Sequence, residues 1–362
     1  MQFVSNYSKW VLSMNTSWQT HLQQSGAHIE EGIVKHFSQP DVERQAINNG
    51  TVIAALSHYS IITASGDDAS DFLQNQLSND IKQVDDTHSQ LSSYCSPKGR
   101  MLASFRIFKF KNQIQLRLPV DTLEATLKRL NMFIMRSQVT LEDNSHTLAG
   151  FGICGNEADS ILSNAGLTAP ENMDGVSQQN GLCIIRIPGT HPRFEIYGEP
   201  AELIKLWDKC AVQATPVGAD VWSLQDIWTG LPDITINTVE AFVPQMTNLH
   251  AINGISFKKG CYPGQEVVAR MHYLGKLKRC MYRAHIDTEL APHAGDNLYS
   301  SGSEDSVGKI VTAVPAPQGG VDALAVLQIA QVEQHSVYLG SKEGVKLEFI
   351  DLPYEVPLER EK

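Results

Sequence analysis

One cysteine of this chain sits where it could do chemistry. Residues 254–270 read GISFKKGCYPGQEVVAR, so Cys261 follows Lys258 and Lys259 and lies between Gly260 and Gly264. A free thiol titrates near ~8.5, and nearby cations or a helix N-terminus favour its nucleophilic thiolate. Across 251–280, six lysines and arginines (Lys258, Lys259, Arg270, Lys276, Lys278 and Arg279) face one acid, Glu266, a local excess of +5 in a chain of formal charge −11. Gly264 opens a predicted helix over Gln265–Met271 whose free N–H groups lie near the sulfur in sequence. Glu266 and Arg270, four apart, share one face of that helix and are placed to pair. The two glycines allow a tight turn around Cys261. These residues fit a reactive thiolate. They fit equally a buried cysteine at a loop-to-helix join with solvated lysines beside it. His250 and His272 could partner a nucleophile or be ordinary surface residues, so no hydrolase follows.

A second motif is a decoy. Gly150, Gly152 and Gly155 spell G-x-G-x-x-G, but a dinucleotide site needs a hydrophobic strand feeding the first glycine and a long helix behind the third. Here EDNSHTLA precedes the glycines, and Phe151 and Ile153 alternate as if one strand runs straight through them. A glycine-rich strand and turn is the stronger reading. Tyr59 and Trp222 are the rings best placed to hold a flat heteroaromatic ligand, although tryptophan is more often core.

Composition narrows the class. The 362 residues, 42% hydrophobic and 19% charged, make two or three globular domains. The net charge argues against non-specific binding of a nucleic-acid backbone. No apolar run approaches the ~20 residues of a membrane span. The first 32 residues carry only Lys9 as Lys or Arg and resemble no leader, so a cytoplasmic home is expected. Six scattered cysteines lack C-x-x-C or zinc spacing, so reduced thiols are expected and neither a metal site nor a self-held cluster is.

The elements that must position these residues read as α+β. Residues 1–50 form an N-terminal extension with two short helices, around Trp10–Leu22 and Ile29–Phe37. Residues 51–145 form a first α+β domain in which VIAAL and YSIITASG are paired strands. A helix follows over 67–77, then strands 90–95, 101–110 and 113–118, a helix 121–135 and a strand 137–142. Residues 146–276 repeat the style, with helices 157–164, 201–212 and 219–229 and strands 182–187 and 193–197. From 277 to 362, short alternating segments broken by Gly and Pro predict a small β-barrel.

The stretch GLPDITINTVEAFVPQMTNLHAINGISFKKGCYPGQEVVAR resembles the signature of the YgfZ family, folate-binding proteins of iron–sulfur protein maturation related to the T-protein (aminomethyltransferase) of glycine cleavage. FLQNQLSND, YCSPKGRML and the β-rich tail are also similar, so the resemblance covers roughly residues 50–355. It implies a three-domain ring of two interleaved α+β domains and a C-terminal barrel. It implies tetrahydrofolate in a central channel with Cys261 at or near it. Tyr59 (where the family carries tryptophan), Trp222 and, by likeness to a T-protein glutamate, Glu195 would contact the folate, and Lys258 and Lys259 would face its glutamate tail. Gly260, Tyr262, Gly264, Gln265, Glu266 and Arg270 would support the motif. Two departures matter. Leu102 and Ala103 replace the acidic pair of T-proteins, so aminomethyl transfer is not expected. Trp228 stands where relatives often carry glutamate.

The expected function is thus a folate-binding accessory factor for assembly or repair of iron–sulfur clusters in client enzymes, including tRNA-modifying ones. Its partners would be folate and iron–sulfur client or maturation proteins, without direct nucleic-acid or membrane contact, and the chain would be a monomer. A folate-dependent aminomethyl- or methyltransferase and a folate-independent thiol redox protein remain alternatives.

Overall fold

The computed structural model describes residues 14–357. Two antiparallel-rich sheets, one curled sheet and a small N-terminal hairpin carry the helices. The first sheet runs in the order Val176–Gln179, Leu182–Arg186, Arg193–Gly198, Ala149–Cys154, Val52–Ala55, Thr215–Val217, and only its last pair is parallel. The second runs Gln90–Cys95, Met101–Phe110, Gln113–Pro119, Tyr59–Ser65, Thr140–Asp143, all antiparallel. The α+β reading holds.

The strands Val52–Ala55 and Tyr59–Ser65 do not pair with each other, contrary to expectation. The former lies between Ala149–Cys154 and Thr215–Val217, the latter between Gln113–Pro119 and Thr140–Asp143. Residues 56–58 are therefore a crossing between sheets rather than a hairpin turn, and His58 and Tyr59 sit at the seam. Ala149–Cys154 does run through its glycines as one strand. Gly152 is small because a Cβ there would stand 2.2 Å from the Trp222 ring, which is a packing reason and not a phosphate cradle.

The N-terminal segment differs from its expected helices. A helix spans Thr16–Gln24, but residues 29–37 fall on a hairpin, His28–Glu30 with Ile33–His36. Glu31 and Gly32 both take positive φ, 48° and 79°, the geometry of a two-residue hairpin turn. The part of the first expected helix before residue 14 lies outside the described residues. Trp18, Leu22 and Val34 are buried against the first sheet, so this extension is part of the core.

The helix Ala219–Thr229 is the strut of the molecule. Buried Glu43, from the N-terminal segment, accepts the Gly218 N–H at its start. Trp228 Nε1 donates 2.6 Å to Asp322 of the curled sheet. The helix ends at Gly230, whose φ of +68° leaves no room for a Cβ beside Tyr354. That third sheet, Val337–Leu339, Asn297–Ser300, Gly308–Pro315, Val321–Gln328, Arg279–Ile286, Leu347–Ile350, curls until a single Tyr338–Lys346 bridge links its ends, a half-barrel.

Candidate functional site

Charged side chains converge where the two flat sheets meet the strut helix. Arg106 and Arg117 point inward from the second sheet, Arg193 and Glu195 from the first, and Asp226 from the helix; all five are buried. Arg106 and Arg117 interrupt apolar strands, as in SFRIF and QLRLP, and Arg193 opens one. Burying a charge is costly unless it is paired, and these are paired throughout. Arg193 Nη1 lies 2.8 Å from Asp226 Oδ1. Arg117 Nε lies 3.6 Å from Glu195 Oε2, and its Nη1 lies 4.0 Å from Asp233 Oδ2. Arg106 donates to Asp174 at 2.7 Å, and Tyr197 donates to Glu195 at 2.8 Å.

Tyr59 is the hinge of this network. Its hydroxyl donates to Asp233 at 2.6 Å and to Asp226 at 3.2 Å, while the Arg117 guanidinium sits 3.7 Å from its ring centre. Burial, then the charges of Asp226 and Asp233, hold the Tyr59 phenol neutral, well above its usual range. Burial also raises the Asp226 carboxyl, against the pull of Arg193. Burial opposes the charge on Arg117, but Glu195 and the neighbouring oxygens outweigh it and hold the guanidinium protonated. His58, its ring 4.1 Å from that of Tyr59, is pushed down to about 3 by burial and then by Arg117 and Arg193.

A small cavity opens between these groups, lined by Tyr59, Ser92, Ser104, Arg117, Asp226 and Asp233, with Leu91, Phe105 and Leu249 behind. Its free volume of about 10 Å³ is the room of about one water molecule. Of the lining residues, Arg117 leaves Nε and Nη1 without a hydrogen-bond partner; elsewhere in the buried network Arg106 Nε, Arg193 Nε and Trp222 Nε1 also lack one. Such orphans mark where a polar ligand or water completes the set. A pterin ring presents an amide-and-amine edge for a carboxylate and a carbonyl oxygen for a guanidinium, so the chemistry of this set fits one. A space of about 10 Å³ does not admit that ring while Tyr59 is seated on the two aspartates.

Trp222 does not present an open face. It is 1% exposed, packed on Gly152 and capped by the Arg193 guanidinium at 4.0 Å. Glu195, also 1% exposed, lies within the network through Arg117 and Tyr197. Thus Tyr59, Glu195 and Trp222 come together, joined by arginines and aspartates that the sequence reading had not singled out.

Cys261 belongs to a different environment. It is the one exposed cysteine among the described residues. The other five are buried, and burial pushes Cys154 and Cys280 up to about 11 and Cys95 and Cys210 up to about 12, with Cys183 raised further. The Cys261 loop is held at both ends. On one side Lys259 Nζ donates to the carbonyls of Gln74, Leu77 and Asn79 at 2.6, 2.5 and 2.9 Å. All three ammonium protons are used, so this lysine is not free for an anionic tail. Burial lowers it to about 8. On the other side Gly264, at φ +81°, lies so close to Ser96 and Gly99 that a Cβ would stand 2.5 Å from the Ser96 carbonyl. Gly264 also starts the helix Gln265–Leu274, as expected. Gly260 meets open space. Tyr262 is buried beside Lys259, and Gln265 reaches back to the Gly260 carbonyl. Lys258 and Arg270 are exposed, and no ion pair joins Glu266 to Arg270 among the described residues.

One residue links loop and cavity wall. The Asn79 side chain donates 2.8 Å to the carbonyl of Leu91, which lines the cavity, and its own carbonyl accepts from Lys259. Cys261 itself is not among the lining residues.

No family model matches the chain. Over 279 residues it is 32% identical to "tRNA-modifying protein YgfZ" of Colwellia psychrerythraea, covering 76% of this chain and 85% of that one. The chain belongs to the YgfZ family. Its fold is that of the glycine cleavage aminomethyltransferase T of Bartonella henselae, with a TM-score of 0.71 at 18% identity over 94% of this chain and 97% of that one. Among the described residues no helix is long and apolar enough to cross a membrane.

Proposed function

We propose that this YgfZ-family chain binds a reduced folate at the Tyr59 cavity and serves as an accessory factor for iron–sulfur client enzymes, including those that modify tRNA, acting through Cys261. The observation that carries the reading is the pair of unpartnered Arg117 donors facing the Asp226 and Asp233 carboxylates in the cavity beside Tyr59, in a T-protein-like fold. To hold a reduced folate, Tyr59 would have to release Asp226 and Asp233, whose carboxylates would then take the amide-and-amine edge of the pterin while Arg117 would take its carbonyl. Lys258, exposed near the loop, is left to meet the folate's glutamate tail. Lys259 holds the Cys261 loop in place instead.

Aminomethyl transfer has less support. Ala103 is buried in apolar packing with Leu102 partly covered against the same core, so neither of the two positions that would carry the T-protein acids offers a carboxylate. Asp226 and Asp233 do approach the cavity, but from the strut helix and the loop after it, and both are engaged by Tyr59.

Two measurements test the reading. Tetrahydrofolate should raise the melting temperature of the protein, and turnover of tetrahydrofolate with a methylamine donor should be absent. In cells lacking their own homologue, the wild-type chain should restore the activity of cluster-dependent tRNA-modifying enzymes and Cys261→Ala should not. Full restoration by Cys261→Ala would remove the thiol from the account.

A further inference from the structure

A second opening lies on the same strand as the Tyr59 cavity and shares no lining residue with it. Gln113, Gln115 and Arg117 alternate along the strand Gln113–Pro119, so their side chains leave one face of it. Arg117 lines the cavity. Gln113 and Gln115 line an open groove of about 610 Å³, bounded by Asn144 after the strand Thr140–Asp143 and by the start of the helix Pro200–Ala211. That is the size of a small-molecule cleft. Its spare polar groups are donors. The Thr63 hydroxyl donates 2.6 Å to Gln115 Oε1 and the Thr147 hydroxyl donates to Asn144 Oδ1, so each amide oxygen is taken and each amide nitrogen is left over. Neither nitrogen, nor that of Gln113, donates to an acceptor among the described residues. Gln115 is 1% exposed and lines the groove, so its spare donors have nowhere else to find an acceptor. The helix adds one more. Pro200 has no N–H, and those of Glu202 and Leu203 reach back to the Glu199 carbonyl. The Ala201 N–H is thus left without an acceptor among the described residues, at the positive end of a 12-residue helix.

We propose that this groove binds a small organic carboxylate. The carboxylate oxygens accept from the amide nitrogens of Gln115 and Asn144 and from the Ala201 N–H, while Phe110, Leu148 and Pro200 cover the apolar body of the ligand. Lys111 and Glu199 of the lining pair with each other, so no unpaired lysine or arginine faces the ligand. Neutral donors and a helix N-terminus suit the single charge of a carboxylate, whereas the second charge of a phosphate monoester finds no cation here. The site stands apart from the folate reading, since groove and cavity have no wall residue in common.

The test uses the full chain and phenylacetate, followed by ligand-observed NMR, with phenylacetamide and phenyl phosphate as controls that keep the ring. Phenylacetate should bind with a dissociation constant of about 1 mM, and each control about tenfold more weakly. Asn144→Asp keeps the oxygen that Thr147 holds and turns the donor into an acceptor, so it should weaken phenylacetate about tenfold. Gln115→Met, which removes the buried donor, should do the same. The melting temperature of Asn144→Asp should match that of the wild type and respond equally to tetrahydrofolate. No saturable binding of phenylacetate at concentrations on the order of 10 mM overturns the proposal. So does equal affinity for phenylacetamide, tighter binding of phenyl phosphate, or unchanged binding in both variants. Displacement of phenylacetate by tetrahydrofolate overturns it as well, because groove and cavity would then be one site. A wild type that binds phenylacetate but shows no tetrahydrofolate shift would overturn the folate reading and leave the groove standing.

Discussion

The Tyr59 cavity and the Cys261 loop are linked through Asn79 and differ in almost every physical respect. Around the cavity, charges are buried and interlocked, so each group's state is set by its neighbours. At the loop, the lysine that fixes the backbone is half-buried while the thiol it presents faces water. The contrast separates two tasks. A buried polar set with orphan donors selects a ligand, because leaving such a set half-filled costs free energy. An exposed sulfur on a pinned loop can meet a second macromolecule, which a sealed one cannot.

Breaking the cavity should cost most. Arg193→Met removes the partner of Asp226 and leaves a buried carboxylate uncompensated; denaturant unfolding should show a loss of about 3–5 kcal/mol. Breaking the loop's anchor should cost less. Lys259→Met orphans the carbonyls of Gln74, Leu77 and Asn79, for a loss of about 1–3 kcal/mol, and alkylation of Cys261 should change in rate while tetrahydrofolate binding persists.

His58 sharpens the comparison through pH. Its folded value of about 3 lies below the ordinary 6.5. The folded state therefore refuses a proton that the unfolded chain accepts. Stability from this group is full above pH 6.5 and falls as pH drops from there towards 3. Between pH 6.5 and 5 the loss should be about 1 kcal/mol, because part of the ring reaches solvent. The variant His58→Phe should lose that part of the acid slope in unfolding curves. The smallest expected effect is at the thiol: Cys261→Ala should change unfolding free energy by less than about 0.5 kcal/mol, with the tetrahydrofolate shift intact. A large destabilisation there would erase the division between the two regions.

Legibility in the sequence followed the same division. The motif's glycines, the helix start at Gly264 and the single unusual cysteine were readable because local backbone chemistry dictates them. So was the strand through Gly150 and Gly152, from its alternating Phe151 and Ile153. The cavity was not readable as a unit. Arg106, Arg117, Arg193, Asp226 and Asp233 come from three strands, the strut helix and the loop after it, and nothing local says that they meet. One signal was present: a charged residue inside an apolar strand, as in SFRIF and QLRLP, needs a buried partner somewhere. The separation of Val52–Ala55 from Tyr59–Ser65 was hidden for a related reason. Close spacing in sequence suggests a hairpin, and only the pairing with Ala149–Cys154 and Gln113–Pro119 draws the two strands into different sheets. Residues 29–37 were misread because the Glu31-Gly32 turn, not the apolar spacing, decides that segment.

Tetrahydrofolate-dependent thermal stability of the wild type against Asp233→Asn tests the central claim most directly. The account predicts a clear rise for the wild type, equivalent to about 2.7 kcal/mol when ligand stands a hundredfold above its dissociation constant, and a much smaller rise for the variant. An unchanged melting temperature in the wild type, or an equal rise in both proteins, would contradict it.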